Sequence, residues 1–426
     1  MIDIGLVRRD LAGVSQNLAR RGVAASVVEQ LSELDATWRA LTQAVDELRA
    51  KQNQASESIA NASAGDKAAL IETMQAVAAE LKANEKELMS VTTAREAAWR
   101  RLPNLVAGDV PEGGADAAEV MRVVPEQLIQ RDFSVQDYFS LGEGTLFNLA
   151  EAARVSGSGF AYILGDLARL QMGLVSWVFD VLAADDFLPV IPPVLVSETA
   201  MAGMGYLGEH SNEVYETQDG LYLVGTSEQS LGSGSANLAP MHIRKRYPNL
   251  EKPRRFVGYS SCFRREAGSH GKAVRGLLRL HQFEKIEMFS FTRPEDSADE
   301  HEFLLSKQEQ LMQALNLPYR VVKLAAGDLG APAAKTYDIE TWLPSEQRYV
   351  ETHSTSNTTD YQARRLNIRV GKGSDVRFVH MLNGTALAMS RIFIALLENH
   401  QQADGSIAMP PALHSYLPFQ KIEVKK

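Results

Sequence analysis

The sequence reads Cys262-Phe263-Arg264-Arg265-Glu266-Ala267-Gly268 and, after a basic segment that contains glycine, Leu280-His281-Gln282-Phe283-Glu284-Lys285-Ile286-Glu287. These two runs predict two strands that are joined by a long hairpin loop. The first strand carries arginine and glutamate, and the second carries an aromatic ring and a carboxylate. Such side chains are suited to hold a nucleotide and an amino acid together, so the pattern favours an adenylate-forming enzyme.

Length and composition limit the classes of protein to consider. The chain has 426 residues, which exceeds the size at which a single core stops growing and favours two domains. No apolar run approaches the ~18 residues that are needed to cross a bilayer, so a membrane partner is not expected. Charged residues occupy the place of a signal peptide's apolar stretch, so export is not expected either. The single cysteine, Cys262, rules out an internal disulfide and favours a cytoplasmic location.

The charge balance limits the possible nucleic-acid partners. The formal net charge is −9, from 44 basic and 53 acidic residues. An acidic protein does not attract nucleic acid globally, so an RNA partner would have to be held by local basic patches and by shape. DNA is not expected as a partner.

The N-terminal part of the chain has the periodicity of a helical hairpin. Apolar residues in a 3-4-3-4 spacing are Leu31, Leu34, Trp38, Leu41, Val45 and Leu48, and a second series is Met74, Val77, Leu81, Leu88, Val91 and Ala98. Asn84 and Arg95 interrupt the second series. The segment Asn61-Ala62-Ser63-Ala64-Gly65-Asp66 separates the two, which predicts an antiparallel coiled coil over about residues 28–100. Each arm would reach roughly 50 Å at about 1.5 Å of rise per residue.

Periodicity alone leaves two roles open for this hairpin. One is a spacer or dimerisation coiled coil, and the other is an arm that grips an extended nucleic acid. The candidate basic contacts are Arg39, Arg49, Lys51, Lys67, Lys82, Lys86, Arg95, Arg100 and Arg101. Acidic residues that include Glu33, Asp35, Glu47, Glu85 and Glu96 offset them. The charge pattern does not choose between the two roles.

The rest of the chain predicts a different architecture. Leu102-Pro103-Asn104 ends the helix, and the run rich in glycine, proline and aspartate that follows predicts a linker over residues 106–120. Beyond it, Ala161 to Leu182 is predicted to be a helix, and the proline-rich segment Asp186 to Val194 an edge strand. Further strands are predicted at 221–224, 255–261, 280–289, 319–324, 336–343, 348–352 and 376–382. Because hairpins connect many of them, the fold class is α+β, with an antiparallel sheet flanked by helices and preceded by an all-α hairpin domain.

Neither of the two common nucleotide-binding loops is present. The sequence lacks G-x-x-x-x-G-K-[ST], and it lacks G-x-G-x-x-G between a strand and a helix. A nucleotide would therefore have to bind through another kind of site.

Six short sequence motifs, called phrases below, narrow the functional prediction further. They are Gly225-Thr226-Ser227-Glu228, Leu317-Pro318-Tyr319-Arg320, Gly327-Asp328-Leu329-Gly330, Tyr337-Asp338-Ile339-Glu340-Thr341-Trp342-Leu343-Pro344, Gln362-Ala363-Arg364-Arg365 and Leu382-Asn383-Gly384-Thr385. Around them stand the Pro192-Pro193 segment, the Phe263-Arg264-x-Glu266 to Phe283 hairpin and Leu387-Ala388-Met389-Ser390-Arg391, in the order of class II motifs 1, 2 and 3. With these phrases the chain resembles bacterial-type seryl-tRNA synthetase, a class II aminoacyl-tRNA synthetase, along essentially its whole length.

The resemblance implies an organisation and an activity. Residues 1–105 would be the tRNA-binding domain, and residues 121–426 the class II catalytic domain. The enzyme would activate L-serine with ATP to seryl-adenylate and pyrophosphate, and would then charge tRNA-Ser and also tRNA-Sec. The hairpin would reach the long variable arm of tRNA-Ser across a homodimer, with Pro192-Pro193 in the dimer interface. The loop from Arg265 to Arg279, with Lys272 and Arg275, would meet the acceptor end.

The same resemblance implies the roles of the nucleotide-site residues. Arg264, Glu266 and Arg391 would be catalytic, with Arg264 at the α-phosphate and Arg391 at the γ-phosphate. Phe283 would stack on adenine. Further ATP contacts are implied for Arg265, Leu280, Glu351, Thr352, His353 and Ser354. Glu351 and Ser354 would also bind Mg²⁺, which prefers hard oxygen donors.

Serine recognition is implied for a second group of residues. Glu287 and Thr385 would bind the hydroxyl, and Thr226, Ser227 and Glu228 the amino group and its surroundings. A site that hydrogen-bonds a substrate hydroxyl rejects analogues that lack it by factors of about 10⁴ or more.

Two departures from the family pattern lie close to these residues. The usual Gly-Ser-Arg-Phe is Gly157-Ser158-Gly159-Phe160 here, and the usual Ser-Cys-Ser-Asn-Cys is Ser354-Thr355-Ser356-Asn357-Thr358. Neither removes a residue with an implied catalytic role. Both indicate a divergent member or a second copy.

Two other functions stay open at this point. A paralogue that activates serine for a carrier protein, a biosynthetic pathway or inhibitor resistance is one, although carrier-protein versions usually lack the hairpin. A catalytically silent RNA-binding homologue is the other, and it would be expected to have lost Arg264, Glu351 or Arg391.

Overall fold

The computed structural model describes the whole chain except residues 62, 64–66, 129–130, 208–210, 235–245, 248–249, 267–275 and 425–426. The chain divides into two compact units, Met1–Leu105 and Val106–Lys426. Among the described residues, none of the helices combines the length and the apolar character that a membrane span needs.

The first unit is all-helical. Its helices are α1 (Ile4–Arg9), α2 (Leu11–Ala19), α3 (Ala25–Asn61) and α4 (Lys67–Arg101). Asp3 and Asp10 cap the two short helices by accepting hydrogen bonds from the backbone N–H groups of Gly5 and Gly13. The two long helices pack side by side, with Val45, Leu48 and Leu81 buried between them. The predicted helical hairpin is thus confirmed, and most of the predicted break between its arms lies outside the described residues.

A buried ion cluster interrupts the apolar seam of this unit. Asp35 is 1% exposed and accepts hydrogen bonds from Arg8 at 2.7 Å, Arg95 at 2.8 Å and Arg39 at 3.2 Å. The Arg95 guanidinium also lies 4.5 Å from the ring centre of Trp38 and 5.0 Å from that of Trp99. Burial would raise the pKa of Asp35, but the bonds from Arg8 and Arg95 outweigh burial and hold it below its usual value. Asp35 and Arg95 are therefore interior residues of the hairpin, and the expectation that they contribute to its outer charge pattern was wrong.

The second unit contains the remaining elements. Its helices are α5 (Tyr138–Gly142), α6 (Leu149–Ser156), α7 (Gly165–Ala183), α8 (Glu198–Met204), α9 (Glu228–Ser233), α10 (Ser297–Ala314), α11 (Tyr361–Leu366) and α12 (Met389–Asn399). Its strands are β1 (Glu119–Val124), β2 (Phe147–Asn148), β3 (Tyr162–Ile163), β4 (Phe187–Val190), β5 (Leu195–Ser197), β6 (Leu221–Leu223), β7 (Arg246–Tyr247), β8 (Arg254–Phe263), β9 (Gln282–Thr292), β10 (Tyr319–Lys323), β11 (Lys335–Leu343), β12 (Arg348–Asn357), β13 (Arg369–Val370), β14 (Arg377–Phe378), β15 (His380–Ala388), β16 (Ile407–Ala408) and β17 (Lys421–Ile422).

One large sheet organises this unit. Within the described parts of the chain it has eight strands in the order β1-β10-β11-β12-β15-β9-β8-β4. Neighbouring strands are antiparallel except β4 and β8, which are parallel. The predicted antiparallel α+β fold is confirmed, and the proline-containing strand β4 lies at an edge, as predicted.

The two faces of the sheet differ in character. One face packs against α7, α10 and α12 in the main core, which includes Leu174, Leu304 and Phe393. Along β11, Tyr337 and Ile339 belong to this core, and the residues that alternate with them point to the opposite face. That opposite face is free to carry polar side chains.

The segment predicted to be a linker belongs to the second unit and packs against other residues of that unit. Val106 and Val110 are buried against Ala326 and Leu329. The Ala326 N–H donates to the carbonyl of Pro111 at 2.9 Å, and β1 begins at Glu119. Residues 106–120, which the sequence predicts to be a linker, therefore contribute apolar side chains to a core. The two valines provide the apolar side chains for this packing, although the segment is otherwise rich in glycine and also contains proline.

Candidate active site

A cavity of about 380 Å³ opens on the polar face of the sheet. Its lining residues are Arg264, Glu266, Leu278, Arg279, Leu280, Phe283, Lys285, Arg348, Tyr349, Val350, Glu351, Thr352, Thr385, Ala388, Ser390 and Arg391. They come from the segment between β8 and β9, from β9, β12 and β15, and from the start of α12. Among the described residues, five of these side chains are cationic and two are acidic, so the cavity favours anionic ligands.

The hairpin of β8 and β9 supplies the cationic and aromatic wall of this cavity. The backbone N–H of Arg264 donates to the carbonyl of His281 at 2.9 Å, which continues the β8–β9 pairing by one residue. The guanidinium of Arg264 lies 5.4 Å from the ring centre of Phe283. Glu266 has a positive φ of 52° and forms an ion pair with Arg279. Strand pairing thus places an arginine, an aromatic ring and a carboxylate around one space.

A buried polar group adjoins the cavity, which two of its members, Lys285 and Thr385, line. Glu287 on β9 is 1% exposed and stands opposite Thr385 on β15. Lys285 forms an ion pair with Glu287 and donates to the Thr226 hydroxyl at 3.1 Å. Burial raises the pKa of Glu287, and the charge and hydrogen bond of Lys285 oppose that rise. Three residues assigned to serine recognition therefore come together here around a lysine.

Glu228 is buried next to this group at the start of α9. Its Oε1 accepts hydrogen bonds from the Tyr206 hydroxyl at 2.9 Å and the Gln362 amide at 3.2 Å. Burial, followed by the charge of Glu287, raises the pKa of Glu228 to about 7. Ser227 is fully buried and its hydroxyl lies 2.7 Å from that of Ser260, so its side chain supports the strand rather than the cavity.

A β-bulge in β12 brings Glu351 and Ser354 to the same face. Asp338 and Glu340 alternate regularly along β11, and they pair with Ser354 and Glu351, respectively. Thr352 is the extra residue that shifts the register. In a regular strand, residues three apart would point to opposite faces. The bulge therefore makes the two candidate cation ligands neighbours.

Arg391 and Asp338 flank these two residues. Arg391 donates to the Glu351 carbonyl at 2.7 Å, and its Nη1 lies 3.1 Å from the Glu351 carboxylate. Asp338 is buried, and burial followed by the charge of Glu351 raises its pKa well above the usual value. No cluster of three or more histidine, cysteine or acidic side chains suited to a metal ion occurs in the described ranges.

Three residues implied in ATP binding, Arg265, His353 and Ser354, are absent from the cavity lining. The Arg265 guanidinium lies 5.7 Å from the ring of Tyr215, and the residue is absent from the lining. His353 is 1% exposed on the core side of β12, with Nδ1 2.8 Å from the Thr352 hydroxyl, and burial lowers its pKa to about 3. Any contact of His353 with a nucleotide would fall to its backbone. Lys272 and Arg275 of the predicted acceptor-end loop lie outside the described residues.

The structure explains both departures from the family pattern. Gly159 has a φ of +85°, and a Cβ there would lie 2.4 Å from the His281 ring, so an arginine would require that ring to move. Thr355 and Thr358 donate hydrogen bonds to the carbonyls of Asn383 at 2.8 Å and Met381 at 2.7 Å. The two hydroxyls therefore link β12 and the residue that follows it to β15. The remaining cysteine, Cys262, is fully buried in β8, and burial raises its pKa to about 11.

Sequence reasoning gave no nucleotide-binding or serine-binding role to five polar residues of the cavity lining, namely Arg279, Lys285, Arg348, Tyr349 and Ser390. Lys285 was detectable, because Phe283, Lys285 and Glu287 alternate along one strand and share a face. Arg348 enters the cavity only through strand pairing, which the sequence does not specify.

Comparisons with known proteins agree with this geometry. Residues 1–106 match the model of the seryl-tRNA synthetase N-terminal domain, and residues 216–400 match that of the tRNA synthetase class II core domain (G, H, P, S and T). The serine–tRNA ligase of Thermobifida fusca is 43% identical over 98% of this chain and 97% of its own length. The chain belongs to the seryl-tRNA synthetase family. The serine–tRNA ligase of Mycobacterium leprae is 41% identical to this chain over 99% of both chains.

Solved structures of the family have the same fold. Seryl-tRNA synthetase from Pyrococcus horikoshii, complexed with ATP, superposes with a TM-score of 0.90 at 33% identity over all of both chains. The cytoplasmic enzyme of Naegleria fowleri, in complex with AMP, has a TM-score of 0.85 at 30% identity. The resemblance to seryl-tRNA synthetases and the predicted class II core are therefore confirmed.

Proposed function

We propose that this chain activates L-serine with ATP, releases pyrophosphate and transfers the seryl group to the 3′ end of tRNA-Ser, and also of tRNA-Sec. The observation that carries the proposal is a single cavity in which cationic side chains surround Phe283 and adjoin the buried Glu287–Thr385 pair. The relatives reported above are named serine–tRNA ligases, which favours tRNA charging over a specialised serine-activating enzyme. Arg264, Glu351 and Arg391 all line the cavity, which argues against a silent homologue.

Arg264 and Arg391 are the proposed partners of the triphosphate. A serine carboxylate oxygen attacks the α-phosphorus, the bond from that phosphorus to the bridging oxygen breaks, and pyrophosphate leaves with the bond electrons. Guanidinium groups suit both places because they stay charged and donate in a planar fork. Adenine stacks on Phe283, whose ring centre lies 5.4 Å from the guanidinium of Arg264. Glu266 is held by its ion pair with Arg279, so that it can orient the nucleotide.

Serine is proposed to bind with its hydroxyl between Glu287 and Thr385. Both side chains are buried, so a ligand without a hydroxyl would leave part of their hydrogen-bonding capacity unused, and a methyl group would have to displace packed atoms. The ammonium group is attracted by the ionised form of Glu228 and contacts Thr226. Lys285, which lines the cavity, is suited to attract the serine carboxylate.

Glu351 and Ser354 are the proposed ligands of Mg²⁺. They fit this ion because the bulge presents a carboxylate and a hydroxyl on one face, and Mg²⁺ takes one or two protein oxygens alongside phosphate and water. The bound ion would neutralise charge on the α- and β-phosphates. Arg391, paired with Glu351, holds that carboxylate at the cavity.

We further propose that residues 1–105 bind tRNA and residues 121–426 perform catalysis in a cytoplasmic homodimer. The long hairpin is suited to recognise RNA by shape, as structured RNAs generally are recognised. Leu188 and Ile191, in and next to edge strand β4, are 45% and 80% exposed. Exposed apolar side chains at a sheet edge favour association with a second copy.

Exchange of pyrophosphate into ATP tests the activation step. Serine is expected to support exchange, and threonine, alanine and glycine are expected to be at least about 10³-fold poorer. An enzyme that shows no serine-dependent exchange would refute the proposal.

Deletion of residues 28–100 tests the hairpin. Charging of tRNA-Ser is expected to fall steeply, while serine-dependent exchange persists. Full charging efficiency after the deletion would show that the hairpin does not bind tRNA.

A further inference from the structure

Asp338 is a buried acid beside the proposed cation ligands, and none of the roles above uses it. It is 9% exposed and shares the face of the sheet on which Glu351 and Ser354 lie. Its Oδ1 has no hydrogen-bond partner among the described residues. An unpaired buried oxygen costs free energy, so a fold that keeps one next to a site favours a role at that site.

The contact that defines this role is with Ser354. Asp338 and Ser354 pair directly across β11 and β12, which places the serine side chain beside the Asp338 carboxyl on one face of the sheet. A hydroxyl has one hydrogen and two lone pairs. When its hydrogen is directed at Asp338, its lone pairs are directed elsewhere and are free for a cation. Outer partners of this kind orient metal ligands in proteins and change metal affinity by about 10- to 100-fold.

We propose that Asp338 is a positioning residue for the divalent cation that accompanies ATP. It accepts the hydrogen of the Ser354 hydroxyl, turns the hydroxyl oxygen toward the cation and leaves Oδ1 to a water molecule of the cation's shell. This inference rests on the proposed function, because Ser354 is a ligand only if the site takes an ATP-bound cation.

Binding of Mn²⁺, followed by electron paramagnetic resonance, tests the proposal directly. The full-length protein is titrated with Mn²⁺ in the presence of an ATP analogue that has a methylene bridge between its α- and β-phosphates. Asp338→Ala is expected to weaken Mn²⁺ binding by about tenfold and to raise by a similar factor the Mg²⁺ concentration for half-maximal exchange. Asp338→Asn is expected to retain most of the affinity, because its amide oxygen still accepts the hydrogen.

A double substitution separates positioning from a direct charge effect. If Asp338 acts through Ser354, the pair Asp338→Ala with Ser354→Ala binds Mn²⁺ no more weakly than Ser354→Ala alone. Additive losses, or an Asp338→Asn variant as weak as Asp338→Ala, would overturn the proposal. So would wild-type affinity in Asp338→Ala.

The chain offers a matched control on the same two strands. The hydroxyls of Thr336 and Ser356 lie 2.8 Å apart at the next position along this face. Thr336→Val removes that cross-strand bond, and Mn²⁺ binding is expected to stay unchanged. Asp338→Leu, which fills the space of the carboxyl, replaces Asp338→Ala if the latter does not fold. If the wild-type protein shows no serine-dependent exchange, the proposed function is wrong. The difference in Mn²⁺ binding between the wild type and the Asp338 variants tests the role of Asp338 separately.

Discussion

The buried acids beside the cavity differ from the buried acid of the helical unit in how burial changes their pKa values. In the helical unit, Asp35 accepts hydrogen bonds from three arginines, and its pKa lies below the usual value. In the sheet unit, burial raises the pKa of Glu228, Glu287 and Asp338. The charge of Asp35 is balanced by arginines of the same chain. The burial of the other three acids costs free energy that their partners within the chain do not offset, which favours the interpretation that a ligand binds beside them.

The largest effect is expected when a cavity arginine is removed. Arg264→Ala should lower serine-dependent pyrophosphate exchange by about 10³-fold, because a preorganised donor to the transition state is lost. Its neighbour Arg265 is the matched control. Since its guanidinium lies on Tyr215 outside the cavity lining, Arg265→Ala should have an effect at least about tenfold smaller. Equal losses in the two variants would mean that both arginines contact the nucleotide.

A substitution in the buried ion cluster is expected to destabilise the helical unit. Asp35→Asn should lower the free energy of unfolding by about 3–5 kcal/mol, because Arg95 is left buried without its charge partner. Unfolding in urea, followed by tryptophan fluorescence, measures the loss, since Trp38 and Trp99 flank Arg95. Pyrophosphate exchange in the folded variant should stay at the wild-type level. A loss of less than ~1 kcal/mol would show that solvent replaces the ion pair.

An intermediate effect is expected from Glu228→Gln. The glutamine oxygen can still accept the bonds from Tyr206 and Gln362, so stability at pH 8 should not fall. The KM for serine should rise about 10- to 100-fold, because a buried charge next to the ammonium group is lost. Unfolding in urea and exchange kinetics over serine concentration measure the two quantities.

The pH dependence gives an internal check on this variant. The raised pKa of Glu228 means that its contribution to stability is complete below the unfolded value and is lost as pH rises through about 7. Over the same range the ionised form appears, and the KM for serine should fall. Both trends should be absent in Glu228→Gln. Persistence of the KM trend would assign it to another group.

The smallest effect is expected at the departures from the family pattern. Thr355→Cys replaces a hydroxyl that donates to the Asn383 carbonyl at 2.8 Å by a weaker thiol donor. Thermal unfolding should report a loss of about 0.5–1.5 kcal/mol, with exchange nearly unchanged. A gain in stability would mean that the larger sulfur fills space that threonine leaves.

Much of the fold followed from the sequence because its signals are local. The 3-4 spacing from Leu31 to Leu48 predicted the hairpin, and hairpin-like strand order predicted the antiparallel sheet. Arg264, Phe283 and Glu287 could be grouped because β-strand alternation and the motif phrases both concern neighbours in sequence. Asp35 could not be paired with Arg8 and Arg95, because those contacts span 27 and 60 residues.

The bulge at Thr352 was equally inaccessible to sequence reasoning. A spacing of three between Glu351 and Ser354 predicts opposite faces in a regular strand, and only the register against β11 shows the extra residue. Arg348 and Asp338 were missed for the same reason, since their neighbours are set by strand pairing.

The state of Cys262 has a practical consequence for measurements in solution. It is the chain's sole cysteine, and its thiol is fully buried with a pKa raised to about 11. The thiolate is the nucleophile that attacks maleimides and spin-label reagents, so this native thiol should label slowly near neutral pH. A cysteine introduced on the exposed surface of α4 would then carry a fluorophore or a nitroxide without prior removal of the native one. Distances between the helical hairpin and a bound RNA thus become measurable in the otherwise unaltered enzyme.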